Sequence, residues 1–234
     1  MKLRTFILAG SLGLIACMAT RPVEITYSPI GKVEPLGLFS ADNNFYVSIE
    51  LIAFQEEIDK YPETWKNFEA AIQEWSKHVP VRWVVLIEDP AMNYLFQGRM
   101  GSIEVHLADL QGENYNLSKG LLGVWLASTD KILLDADFLE TYSRAFSVCL
   151  HELGHLLGVP HIVGFNEMGR SGFVILPPGE IATNYVMYPN SVKDLPQKTL
   201  SSIEIDLAYN HLLHYWTLPY SSRKTKDCNF SVDK

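Results

Sequence analysis

The sequence HELGHLLGVPH, residues 151–161, decides how the rest of the chain is interpreted, because it holds three histidines and one glutamate within eleven residues. His151 and His155 are four residues apart, so on a helix they share one face and are able to bind a single metal ion. Gly158 tolerates the left-handed conformation that ends a helix, and the turn after it would bring His161 back to the same ion. Three neutral imidazoles with one open coordination position are typical of a catalytic zinc site.

Glu152 distinguishes a catalytic site from a structural one. It lies beside the ligand His151 but points off the ligand face, toward the position where a water would bind. We therefore predict that Glu152 is the general base, which takes a proton from a zinc-activated water and delivers it to the leaving amine. The alternative is a core helix whose histidines only pack. Three ligands, a base and a turn glycine in one pattern argue against that alternative.

The apolar patterns outside this motif predict a domain of both strands and helices. An apolar stripe at helical spacing runs through residues 62–79. Ser201 and Glu204 have the spacing of a capping box at the start of the last helix. We predict strands over residues 45–51, 81–89, 102–110, 121–128 and 131–138, helices over 62–79, 143–158 and 202–215, and a loop over 162–183.

The N-terminus has the pattern of an export signal. Lys2 and Arg4 precede an uncharged, mainly apolar run over residues 6–16, which is too short to span a bilayer and is typical of a signal-peptide core. The run ends in LIAC, which resembles the lipobox of bacterial lipoproteins, so Cys17 is the predicted lipidation site. The alternative is a plain secretory signal with an incidental cysteine. Both interpretations predict an exported protein, and the first adds a lipid anchor in the cell envelope.

These boundaries divide the chain into four parts. We predict a signal peptide over residues 1–16, a lipidated cysteine and tether over 17–43, a globular domain over 44–216 and a C-terminal tail over 217–234. The apolar fraction of 47% is sufficient for a sizeable core. The net charge of -8 argues against a nucleic acid as a partner, because phosphate binding needs a basic face.

The remaining cysteines and histidines have ordinary interpretations. Cys149 and Cys228 either form a disulfide, as an exported protein allows, or leave Cys149 as a buried free thiol on the motif helix. His78 and His106 are interpreted as packing or surface residues. His211 and His214 are three residues apart on the last predicted helix, a spacing that could hold a metal, but without further ligands nearby we interpret them as packing or surface residues as well.

The histidine motif is part of a longer resemblance to the metzincin superfamily of zinc peptidases. The pattern H-E-x-x-H-x-x-G-x-x-H is present without a gap at residues 151–161. NYVMYP, residues 184–189, resembles the methionine turn of that superfamily, which implies that Met187 forms a hydrophobic floor under the histidines. The matrixin branch is the most similar, because AIQEWSKHVPVRW (71–83) resembles its first helix and following strand and SSIEIDLAYN (201–210) resembles its final helix.

The resemblance implies an α+β fold of the zincin type. A twisted mixed sheet would carry two helices, the second helix would bear the site, and a smaller irregular C-terminal part would end in a helix. It also implies a monomeric zinc metalloendopeptidase in which His151, His155 and His161 hold one catalytic Zn²⁺. A protein or peptide substrate would lie extended along an edge strand, for which residues 121–128 and 131–138 are the candidates.

The chain also departs from the matrixin pattern. The segment between His161 and Met187 is longer than in vertebrate matrixins, and Ser191 stands where a tyrosine is common. Asp135 and Asp137 have strand-alternation spacing, which favours an exposed strand face, although the resemblance would also allow calcium binding there.

Two other functions compete with the peptidase. The chain would be a non-catalytic, exported surface-binding protein if zinc served only stability, or a zinc hydrolase of a non-peptide amide if its pocket were narrow. Glu152 argues against the binding protein, because a binding module needs the ligands but not the base.

Overall fold

The computed structural model describes residues 23–27, 47–88, 102–112, 120–164, 173–189 and 199–212. Within these residues the protein is α+β, as predicted, with helices packed on a mixed sheet. In chain order the strands are β1 (Val23–Tyr27), β2 (Val47–Phe54), β3 (Val81–Glu88), β4 (Ile103–Ala108), β5 (Gly123–Leu126), β6 (Lys131–Asp135), β7 (His161–Val163) and β8 (Phe173–Ile175). The helices are α1 (Gln55–Lys60), α2 (Pro62–Ser76), α3 (Ala136–Leu139), α4 (Ala145–Leu156) and α5 (Ser202–His211), and a 3-10 helix covers Ala182–Asn184.

Six of the described strands form one sheet in the order β1-β3-β2-β4-β6-β5. The four inner strands run parallel, and the two edge strands, β1 and β5, are antiparallel to their neighbours. Of the two segments considered for substrate pairing, residues 121–128 therefore contain an edge strand, whereas 131–138 contain the inner strand β6. Strands β7 and β8 form a separate parallel pair after α4.

Strand β1 lies in the segment for which the sequence predicted a tether. Val23–Tyr27 pairs antiparallel with Trp83–Ile87 of β3. Its five residues are too few for a recognisable period, and the pairing partner follows far along the chain, so no local pattern marks this strand. The structure thus places part of the predicted tether in the sheet.

Helix α2 connects the sheet to the helix that bears the histidine motif. Its predicted apolar stripe is confirmed, since all four stripe residues are buried: Trp65, Phe68, Ile72 and Trp75. The indole N–H of Trp75 donates to the carbonyl oxygen of Leu150 in α4 at 3.1 Å. This hydrogen bond and the surrounding core hold α4 in place at Leu150, the residue before the first motif histidine, His151.

Several elements are shorter or more numerous than predicted. Strand β6 ends at Asp135 and a helical turn follows, so the prediction of one exposed strand face for Asp135 and Asp137 is wrong. Asp135 is 2% exposed, and Asp137 accepts a hydrogen bond from the hydroxyl of Tyr61. The segment predicted as a loop over residues 162–183 contains β8 and most of β7. Strands of three residues and helices of four to six are too short for periodicity to reveal them.

Cys149 is a buried free thiol, which agrees with one of the two interpretations. Cys228 lies outside the described residues, as do Cys17 and Ser191. None of the helices in the described part of the chain has both the length and the apolar character needed to span a bilayer.

Candidate metal centre

The three motif histidines converge on one point. Nε2 of His161 lies 3.2 Å from Nε2 of His151 and 3.1 Å from Nε2 of His155. One ligand atom from each ring lies within 4.8 Å of the others, and the three side chains are half-buried. Among the described residues, no carboxylate joins such a group of three, so Asp135 gains no support as a calcium ligand.

Backbone carbonyls set the tautomers of two of these histidines. Nδ1 of His151 donates to the carbonyl oxygen of Val186 at 2.8 Å, and Nδ1 of His155 donates to that of Val159 at 3.0 Å. A ring that is protonated at Nδ1 has its lone pair at Nε2. Both lone pairs are therefore directed at the point where the rings meet.

Burial keeps two of the three converging rings, His155 and His161, neutral. Burial lowers the pKa of His155 well below its ordinary value, and the neighbouring His151 and His161 lower it further. Burial lowers the pKa of His161 to about 4. A neutral imidazole is the form that binds a metal, so no proton has to leave these two rings at neutral pH.

The end of α4 brings the third histidine back, as predicted. Gly158 has a φ of 83°, which is the left-handed conformation, and its N–H donates to the carbonyl oxygen of His155 at 2.9 Å. A Cβ at this glycine would overlap the ring of His211 in α5. The ring of His211 therefore packs against the turn that leads to His161, and His214 lies outside the described residues.

Met187 lies against the same helix. It is fully buried, and a Cβ on Gly154 would overlap its sulfur. The carbonyl oxygen of Met187 accepts from the N–H of Ile162 at 2.9 Å, directly after the third histidine. The turn that contains Met187 thus contacts α4, which carries His151 and His155, and β7, which begins at His161.

Glu152 is enclosed between α4 and the edge strand β5. It is 5% exposed, and a Cβ on Gly123 would lie 2.8 Å from its Cγ and 2.9 Å from its Oε1. Its Oε2 is buried without a hydrogen-bond partner among the described residues. Burial raises the pKa of Glu152 to about 8, against the opposing effect of the Trp125 backbone N–H. A cation bound at the histidines would favour the charged carboxylate.

The residues present fit a zinc ion. Two nitrogens of a tetrahedral zinc site, each about 2.0–2.1 Å from the ion, are about 3.3 Å apart. The Nε2 atom of His161 lies 3.2 and 3.1 Å from the Nε2 atoms of His151 and His155, close to that value. Two of the rings also have the carbonyl partner at Nδ1 that metal-binding histidines commonly have.

The sequence pointed to the three converging histidines and to Glu152, but not to the groups that contact them. Gly123 lies inside a predicted strand, where a glycine often marks the close approach of another group. This glycine could therefore have indicated the contact with Glu152. The contacts of the Val186 and Val159 carbonyl groups with the histidines could not be predicted from the sequence, because backbone atoms are the same in every residue.

Two further histidines, His78 and His106, lie outside this cluster. His78 contacts Glu74 at 3.2 Å. His106 lies between Glu57 and Glu104, at 3.2 and 3.1 Å, and stacks on Phe54. Both are packing or surface residues, as the sequence indicated.

In the comparison with known proteins, no family model matches this chain, and no curated protein matches it either.

Proposed function

We propose that this chain is a zinc-dependent endopeptidase of the metzincin superfamily, similar to the matrixins. The observation that carries the proposal is the convergence of three Nε2 atoms in the motif that also supplies an enclosed carboxylate, Glu152. A structural zinc site has no use for that carboxylate, which is buried at a cost in desolvation.

The roles of the residues follow from their surroundings. His151, His155 and His161 would hold the ion. Zinc bound there would supply Lewis-acid chemistry, which polarises a substrate carbonyl and lowers the pKa of a water molecule. Glu152 would accept a proton from that water and pass it to the nitrogen of the leaving amine. Gly123 would keep the Glu152 carboxylate in place, because no side chain at that position pushes it away.

Strand β5 would bind the substrate. It is the last strand in the sheet order, and it lies against α4 next to Glu152. An extended peptide that pairs with such an edge gains main-chain hydrogen bonds without any demand on its sequence. The proposed substrate is therefore an extended segment of a protein, which favours a peptidase over a hydrolase of small amides.

The test compares the wild type with Glu152→Gln, which has nearly the same shape and leaves the contact with Gly123 in place. Both proteins are incubated with an unfolded, fluorescently labelled protein, with and without a zinc chelator, and zinc per chain is measured by mass spectrometry. We expect one zinc per chain in both proteins. Cleavage should fall by about 10²–10⁴-fold in Glu152→Gln and should disappear in the wild type with chelator.

The other outcomes separate the competing functions. Stoichiometric zinc without cleavage of any unfolded protein would favour the surface-binding protein. Cleavage that is equal in the wild type and in Glu152→Gln would exclude the assigned base. A folded chain without zinc would contradict the metal centre itself.

We also propose that the protein is exported and anchored through lipid on Cys17. The sequence alone supports this, through the basic residues Lys2 and Arg4, the apolar run and the LIAC ending. Expression in a bacterium with a labelled fatty acid tests it. The wild type should incorporate label and Cys17→Ser should not, and label in both proteins would exclude the assigned site.

A further inference from the structure

A single peptide unit lies between His151 and helix α5. The carbonyl oxygen of Val186 accepts from Nδ1 of His151 at 2.8 Å. The N–H of the same peptide, which belongs to Met187, donates to Oε1 of Glu204 at 2.7 Å. The C=O and N–H of a trans peptide point in opposite directions in one plane. Imidazole, peptide and carboxylate therefore form one hydrogen-bonded chain.

Glu204 is enclosed at the end of this chain. Its exposed fraction is 0%. Its second oxygen, Oε2, accepts from the N–H and the hydroxyl of Ser201 at 2.9 and 2.8 Å. The groups in these contacts all donate, so the carboxylate serves as the acceptor in each of them.

The two oxygens of Glu204 have separate roles. Oε2 completes the capping box of α5 with Ser201, which is the usual role of a glutamate at this helix position. Capping needs nothing from Oε1, which instead binds the turn that contains Met187. The carbonyl oxygen of Met187 also accepts from the N–H of Ile162, next to His161, so this turn contacts both segments that carry the three histidines, α4 and β7.

We propose that Glu204 is a positioning residue of the metal centre. Through the Val186–Met187 peptide it fixes the ring orientation and the Nδ1-protonated tautomer of His151, and it makes Nε2 of His151 a stronger donor to the metal. Carboxylates that contact a ligand imidazole directly have this effect, and hydrogen bonds in a buried chain polarise one another. The inference rests on the proposed metal centre.

Two substitutions separate this role from helix capping. Glu204→Gln removes the charge and places an amide NH₂ where only donors face the side chain. Ser201→Ala removes the cap hydroxyl but leaves the contact between Glu204 and Met187. Zinc affinity of the full chain is measured for both variants and the wild type by competition with a chromophoric chelator, under conditions where each is folded by circular dichroism. The absorption spectrum of each protein with Co²⁺ reports the ligand field.

We expect Glu204→Gln to weaken zinc binding by about 10–100-fold and to shift the Co²⁺ bands. Ser201→Ala should lower the melting temperature but leave zinc affinity and the Co²⁺ spectrum unchanged. Wild-type affinity in Glu204→Gln, or an equal loss in Ser201→Ala, would overturn the inference while leaving the metal centre intact. A wild type that binds no zinc would instead remove the metal centre, and the inference with it.

If Glu204→Gln does not fold, a measurement on the wild type tests the positioning role of Glu204. In the ¹⁵N-labelled, metal-free protein, His151 should be protonated at Nδ1, and the amide of Met187 should be protected from hydrogen exchange as strongly as the core. Protonation at Nε2 of His151, or rapid exchange at Met187, would overturn the inference.

Discussion

The proposed function predicts that replacing Gly123 by alanine reduces catalysis without loss of zinc. A Cβ at this position would lie 2.8 Å from Cγ and 2.9 Å from Oε1 of Glu152, whereas ordinary van der Waals contacts begin at 3.4 Å. Either the carboxylate or strand β5 must therefore move by about 0.6 Å. The three histidines are not part of this contact, so their geometry should be unaffected.

The expected loss follows from that displacement. A misplacement of about 1 Å in a catalytic site costs about 10²-fold in rate, so a shift of about 0.6 Å in Glu152, the proposed general base, should lower kcat/KM by about 10–100-fold. This corresponds to about 1.4–2.7 kcal/mol of transition-state stabilisation.

The assay measures kcat/KM on an unfolded protein substrate together with zinc per chain. Gly112→Ala is the matched control, because it adds the same methyl group outside the site, where the nearest atom would be Oδ2 of the exposed Asp109 at 3.0 Å. We expect wild-type zinc in both variants and loss of activity only in Gly123→Ala.

A double-mutant cycle identifies the residue through which Gly123→Ala acts. In a Glu152→Ala background the added methyl group has space, so Gly123→Ala should cost almost nothing further. An equal loss in that background, or loss of zinc in Gly123→Ala, would refute the argument that Gly123 acts by making room for Glu152.

Three further predictions concern stability. Gly154→Ala would place a Cβ on the sulfur of the buried Met187 and should destabilise the protein by about 1–3 kcal/mol; an unchanged urea midpoint would contradict this. Trp75→Phe removes the bond to Leu150 and part of a fully buried ring, so we expect a similar loss of about 1–3 kcal/mol, with an unchanged denaturant m-value. Burial alone lowers the pKa of His106, but hydrogen bonds with Glu57 and Glu104 outweigh burial and the opposing Lys131, so the net pKa is raised above 6.5. The protonated ring therefore stabilises the fold fully below pH 6.5, and this contribution is lost as the pH rises through the raised pKa. Unfolding free energies measured across this range should show that loss in the wild type and not in His106→Gln, and equal pH dependence in both would exclude it.

The sequence predicted the elements whose patterns are local. The stripe of α2 repeats every three to four residues, and the capping box of Ser201 and Glu204 spans four residues, so neighbouring positions alone revealed both. The short strands β7 and β8 offer no such period. Strand β1 depends on a partner far along the chain, and its pairing could not be predicted for that reason.

The same division applies to the candidate metal centre. The spacing of His151 and His155 and the left-handed turn at Gly158 were determined by the sequence, because helix geometry relates residues four apart. Only the tertiary structure decided which groups support them. Gly123 leaves space for Glu152 because β5 lies against α4. Glu204 is linked to His151 through the Val186–Met187 peptide, because α5 packs against the turn that contains Met187. These contacts join residues distant in sequence, and one of them passes through a peptide group whose atoms are the same in every residue.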